Sequence, residues 1–371
     1  MSTDVTTPPR PAGDSDGISA EHSTERPRPK TRDPYFSNAK LLLILSVVCG
    51  HTWAGLISDS HTVRALYLTL YDFHMPAFIL LCGYFSKSFV ARPDQIRRVL
   101  TGVLAPYLIF CVLYGLHRMT WGDEFSANVL TPYYLLWFLA ALFVWRLTSP
   151  IWRVVRHPVL IATAISVAAI FISLPGVLEL GRVLQFLPFF VAGMFLERRH
   201  FELLKRPLPR AGLTVGALLI VAGAFFFGGE LDRQWIYFNE GAEQMDLSPL
   251  SALPTKLVVM ATAVVLVAAF LSWVPDRRFR LSGLGDQTMY AFLLHGFVVK
   301  AARENTALFD TAFVHTPLGE MTLTVGAVLV GLVLMAAPVR WLTRPFVEPR
   351  LDWLLRRSEQ RPVITGHPTT N

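Results

Sequence analysis

Lys40 and His51 stand eleven residues apart in the first long apolar stretch of the chain, which runs from Asn38-Ala39-Lys40-Leu41 to Gly50-His51-Thr52-Trp53. Eleven helical steps turn through about 1100°, roughly 20° past three full turns, so both side chains project from one stripe of one helix, roughly 16 Å apart along its axis. Ionisable groups inside a membrane helix are expensive and usually functional. A cation near one surface and a histidine deeper in suggest an anionic ligand that enters from one side, with the imidazole as the chemical group at its far end. The bland alternatives are a lysine that snorkels to the headgroups and a histidine bonded to a neighbouring helix.

Three further groups join this pair as candidates. His74 lies in Tyr71-Asp72-Phe73-His74-Met75-Pro76, the second apolar stretch. It is expected at a depth comparable to His51, with Asp72 nearer the surface as a possible partner for an imidazole. Pro76 removes a helical hydrogen bond and is expected to open the helix there. His295, in Tyr290-Ala291-Phe292-Leu293-Leu294-His295, is a third histidine for the same cavity or an ordinary interhelical bond. Arg97 and Arg98 follow the second stretch; adjacent arginines at a membrane surface are topology signals or phosphate ligands.

The elements that must position these residues are membrane helices. Hydrophobic residues make up 53% of the 371, charged residues 16%, and mean hydropathy is +0.43; an ordinary soluble domain carries about 25% charge. The expected fold is all-α, a polytopic bundle of about ten spans near 38–57, 66–86, 100–117, 133–148, 158–174, 183–197, 211–228, 256–274, 287–301 and 322–343. Of the 34 lysines and arginines, 26 fall on one set of alternate segments and seven on the other, with Lys40 inside the first helix. The positive-inside rule then places both termini in the cytoplasm.

Three domains are expected: a disordered cytosolic tail over 1–33, a transmembrane domain over 34–357 and a flexible tail over 358–371. The first tail lacks the apolar stretch of a secretory signal. Cys49, Cys82 and Cys111 are scattered through apolar stretches with no disulfide or zinc spacing, so no metal site is expected. The net charge of +7 is assigned to cytosolic loops rather than to nucleic-acid binding. The loop over 229–255 places Glu230, Asp232, Glu240, Glu243 and Asp246 among Trp235, Tyr237 and Phe238, a composition suited to sugars or to the headgroup interface. No Walker loop, nucleophile elbow, zincin motif or dinucleotide fingerprint occurs in a supporting context.

These residues resemble the acyltransferase-3 family of integral membrane O-acyltransferases, particularly its fucose 4-O-acetylase-like branch. The matching pieces are Arg32-Asp33-Pro34-Tyr35, Asn38-Ala39-Lys40, Gly50-His51, Phe73-His74-Met75-Pro76 with Gly83-Tyr84, Pro106-Tyr107, Leu136-Trp137-Phe138-Leu139 and Leu293-Leu294-His295, together spanning residues 32 to about 345. The resemblance implies an enzyme of the cell membrane that takes an acyl group, acetyl by family precedent, from acyl-coenzyme A in the cytosol to a hydroxyl of a carbohydrate or glycosylated acceptor. Acetyl-CoA would be a substrate, with no permanently bound cofactor. Lys40 would match the family's basic position and His51 its essential histidine, with His74 or His295 orienting it or stabilising an oxyanion, and Arg97 and Arg98 joining Lys40 at the donor. Relatives often carry Arg-x-x-Arg after the second helix; here the stretch reads Arg97-Arg98-Val99-Leu100-Thr101. Attack by the acceptor directly and passage through an acyl-histidine are both compatible with the residues. A proton-coupled transporter or flippase is the rival reading, although no repeat relates the chain halves.

Overall fold

A computed structural model describes residues 1–4, 33–229 and 231–354. The tail expected over 1–33 lies outside the described residues except for its ends, as does the tail over 358–371. The described residues form helices and turns, with no strand among them. The longer helices are α1 (Pro34–Trp53), α2 (His61–Phe85), α3 (Pro93–Trp121), α4 (Tyr134–Val154), α5 (Pro158–Phe171), α6 (Val177–Gln185), α7 (Leu187–Phe195), α8 (Pro207–Phe227), α9 (Pro249–Trp273), α10 (Thr288–Glu304), α11 (Pro317–Leu334) and α12 (Ala337–Val347).

The protein is a multi-pass helical membrane bundle. Among the described residues α2, α3, α4, α8, α9 and α11 are each long and apolar enough to cross a bilayer, and α6 with α7 would make a seventh, bent span. The remaining expected spans fall on helices too, but α5 is short and α10 has 17 residues.

Prolines set the irregularities. α7 departs from α6 by 56°, where Pro188 follows Leu187; proline has no N–H to donate and its ring collides with the carbonyl one turn earlier. Residues Leu100–Leu104 widen into a π turn just before Pro106, relieving the same clash. Pro76, expected to open α2, does not: the helix runs unbroken from His61 to Phe85.

α1 is the axis of the bundle and packs against α2, α10 and α11. Its first turns are clamped by polar bonds that water would otherwise supply. Asp33 caps the helix by accepting from the Tyr35 amide at 2.9 Å. The Tyr35 hydroxyl donates to the Leu271 carbonyl at 2.9 Å, and Asn38 Nδ2 donates to the carbonyls of Pro275 and Arg277 at 2.8 and 3.0 Å. Nearby, Lys205 and Arg198 reach the Asp276 carboxylate at 2.5 and 3.1 Å; partial burial works against them, yet together they hold its pKa below the usual value.

α2 crosses α7 at closest approach through Gly83 and Gly193. A Cβ on Gly83 would lie 1.9 Å from the Phe190 carbonyl oxygen, and one on Gly193 would lie 2.0 Å from that of Leu80. Small residues let membrane helices approach backbone to backbone. Because the clash is with backbone, no rotamer change relieves it. Gly83→Val is therefore expected to cost at least about 1–3 kcal/mol. Thermal unfolding of the detergent-purified variant should show a clearly lowered midpoint, and an unchanged midpoint would refute the close crossing.

Candidate active site

The aromatic face of α2 starts the site. Tyr67, Tyr71 and His74 are spaced by four and three residues, so they share one side of the helix. That side lines a cavity of about 370 Å³, together with His51 and Ala54 from α1, Tyr134 and Trp137 from α4, and Tyr237 and Phe292. Glu179, Arg182 and Arg303 stand in the same wall. The lining comes from the C-terminal end of α1 and the N-terminal ends of α2 and α4, so the cavity belongs to one end of the bundle.

His51 points into this cavity. Its Nδ1 lies 2.9 Å from the Tyr134 hydroxyl and 3.4 Å from that of Tyr71. The His295 ring sits beside it, centroids 5.1 Å apart. His295 Nδ1 donates to the Ala291 carbonyl at 2.8 Å, and His74 Nδ1 to the Leu70 carbonyl at 2.7 Å. A carbonyl can only accept, so each of these rings carries its proton on Nδ1. In the neutral form neither has an N–H left for an oxyanion. His295 is fully buried, and its Nε2 has no hydrogen-bond partner among the described residues. The hydroxyls of Tyr71 and Tyr134 are the remaining donors close to His51.

Tyr134 has no periodic signal in the sequence and was not among the expected residues. Its φ of +55° is unusual for a tyrosine. Leu178, Glu179 and Phe238 share this left-handed backbone, at +52°, +54° and +53°, and each lines the cavity or adjoins a lining residue. Such strain costs on the order of 1–3 kcal/mol per residue and gathers at functional sites. The loop expected to present aromatics does so in part: Phe238 is fully buried, stacked on Phe186 at 4.5 Å, while Tyr237 faces the cavity with its hydroxyl 2.5 Å from that of Tyr67. At the rim Arg182 bonds Glu179 at 2.7 Å and lies 5.0 Å over the Trp137 ring.

Asp72 turns away from His51. Two helical steps rotate a side chain by about 200°, so Asp72 and His74 point to opposite sides of α2. Asp72 instead lines an apolar crevice of about 590 Å³ between α2, α8 and α9. Lys256 is fully buried in α9. Its ammonium donates to Gln185 at 2.8 Å and lies 3.9 Å from the Phe238 ring centre, fastening the loop that carries Tyr237.

Lys40 does not reach the cavity. It pairs with Asp286 at 2.7 Å at the other end of α1. Arg97 is engaged by Asp352 and Arg98 by Asp94, the latter at 2.7 Å. The structure thus gathers His51, His74 and His295 and leaves Lys40, Arg97 and Arg98 at the opposite end. Phe292, which lines the cavity, continues into a row of rings with Phe138 and Phe78, centroids 5.3 and 6.1 Å apart. No group of residues able to hold a metal ion occurs among the described residues. Asp72→Asn is expected to leave transfer activity within about twofold of wild type, because Asp72 lines a different crevice. A loss of activity with unchanged thermal stability would place Asp72 in the site.

A family profile described as an acyltransferase domain matches residues 33–337. The nodulation protein NolL of Sinorhizobium fredii is 27% identical over 297 residues, covering 72% of this chain and 78% of its own length. NolL of Mesorhizobium japonicum is 25% identical over 300 residues, covering 72% and 77%. No solved structure matches the chain. With the profile spanning most of its length, this chain belongs to the acyltransferase-3 family and is a membrane acyltransferase.

Proposed function

We propose that the protein transfers an acyl group, acetyl in the simplest case, from acyl-coenzyme A to a hydroxyl of a carbohydrate or glycosylated acceptor held in the His51 cavity. The observation that carries this reading is the position of His51 in a cavity walled by tyrosines and a tryptophan, with Tyr134 bonded to its Nδ1. Flat aromatic faces suit sugar rings, and the Arg182–Glu179 pair offers hydrogen bonds to hydroxyls. The excess of basic residues on the Lys40 side supports a cytosolic position for that end, in a cell-membrane protein. The donor then arrives from the Lys40 end and the acceptor from the opposite face.

The chemistry follows from the tautomer. Nδ1–H of His51 donates to the Tyr134 hydroxyl oxygen, which leaves Nε2 as the base. Nε2 takes the acceptor's hydroxyl proton as that oxygen attacks the thioester carbonyl carbon. The charge that develops on the carbonyl oxygen meets the Tyr71 hydroxyl. The carbon–sulfur bond breaks, and the imidazolium returns the proton to the departing thiolate. The products are an ester and free coenzyme A. Tyr134 is a positioning residue, and the left-handed turn at its backbone brings its ring to His51.

His51→Ala should lower acyl transfer at least 10²-fold, within the range of a general base. Tyr134→Phe keeps the ring but not the bond, and should lower kcat more than KM. Acceptor-dependent release of coenzyme A by the protein in detergent, where no gradient exists, separates an enzyme from a transporter. Full activity of His51→Ala would remove the histidine from the mechanism.

A further inference from the structure

The wall of the His51 cavity carries one more cation than anion. Its charged residues are Arg182, Arg303 and Glu179, and the carboxylate is taken by Arg182 at 2.7 Å. Other basic groups at this end of the bundle are matched as well. Arg118 pairs with Asp123 at 2.9 Å, and Lys300, 5.5 Å from the Tyr134 ring centre, pairs with Glu304 at 3.3 Å. Arg303 makes no ion pair and no hydrogen bond among the described residues. Its place on α10 is not that of an arginine reaching for lipid headgroups. Phe292, Gly296, Val299 and Arg303 are four, three and four residues apart, so they form one stripe of the helix. Phe292 lines the cavity, Gly296 lies against the Tyr114 hydroxyl, and Val299 is 5% exposed, so the stripe faces inward. Eleven steps from Phe292 bring Arg303 to within about 20° of it. Val298, turned about 120° from Phe292, is on the outer face and is 41% exposed. Helical side chains lean toward the N-terminus of their helix. Arg303 therefore leans back into the cavity toward His295, which is about 12 Å earlier along the axis and beside His51.

We infer that the acceptor is anionic, and that Arg303 binds a carboxylate or phosphate group of the glycan whose hydroxyl is acylated. The inference rests on the proposed transfer to a carbohydrate in this cavity and narrows the class of that carbohydrate. A guanidinium presents a rigid fork of donors that matches either oxyanion in bidentate fashion. The cavity's aromatic walls keep the local dielectric low, which strengthens the attraction for an anion entering it. A neutral sugar would leave Arg303 with water alone. The separation of at most about 12 Å along α10 places the anionic group on the acylated sugar or on a neighbouring one. Arg303 touches the acceptor and not the reacting atoms, so it sets which glycan is held and takes no part in the proton transfer at His51.

The test uses the detergent-purified full-length protein, acetyl-coenzyme A labelled in its acetyl group, and glycans and glycolipids extracted from cells that make the protein. An anion exchanger divides the extract into neutral and retained fractions, and the label should enter the retained one. Removing phosphate esters, or reducing carboxyl groups to alcohols, should abolish acceptance, and whichever treatment does so names the anion. For the glycan so labelled, Arg303→Gln should raise KM about ten- to a hundredfold, the loss of one or two charge-assisted bonds, and leave kcat within about twofold. Arg303→Lys should recover part of that loss. Added salt should raise KM for wild type more than for Arg303→Gln. Label confined to the neutral fraction overturns the inference, as does acceptance that survives both treatments or an equal KM for wild type and Arg303→Gln. If neither fraction is labelled, the proposed transfer itself fails, and the role of Arg303 fails with it.

Discussion

Within a hydrocarbon layer a polar side chain has only other protein groups to bond, and that requirement organises this molecule. Several buried polar residues are tied to a partner on another element, and others, such as His74 and His295, bond a carbonyl of their own helix. Tyr35 bonds the Leu271 carbonyl in the last turn of α9, Asn38 bonds carbonyls just beyond it, Lys256 bonds Gln185, and His51 bonds Tyr134. These bonds hold the helices in one arrangement where apolar contacts alone would let them slide. Some buried polar atoms have no hydrogen-bond partner among the described residues, and of these His295 Nε2 lies next to the proposed chemistry.

The cavity is built where the helices are least regular. α6 and α7 bend at Phe186, α4 starts with a left-handed tyrosine, and the chain through Tyr237 and Phe238 turns inward instead of lying on the surface. Irregular backbone at membrane depth is tolerated when protein covers it or when it lines a cavity. Here it does both, and the strain is held in place by stacked rings and by the Lys256–Gln185 bond. Regular helices supply the histidines; the broken segments supply the groups that orient them.

The motifs that identify the family divide into two kinds. Asp33, Tyr35 and Asn38 are fasteners: they cap α1 and bind it to the connection between α9 and α10, and Lys40 continues this line by pairing with Asp286. His51, His74 and His295 meet at the other end. One helix therefore links a clamped, charged end to the end that carries the histidines.

The helical bundle, the shared stripe of Lys40 and His51 and the identity of the three histidines were legible in the sequence, because hydropathy and the 3.6-residue period are local properties. The same period states that Asp72 and His74 face opposite ways, but not which of them faces His51. That choice is made by α1 and α4 packing on one side of α2 and by α8 and α9 packing on the other. Tyr134 meets His51 across 83 residues through a turn that carries no periodic signal. Spacing along a helix determines which residues share a face; only the packing of distant helices decides what that face meets, because those contacts join segments with no local sequence relation.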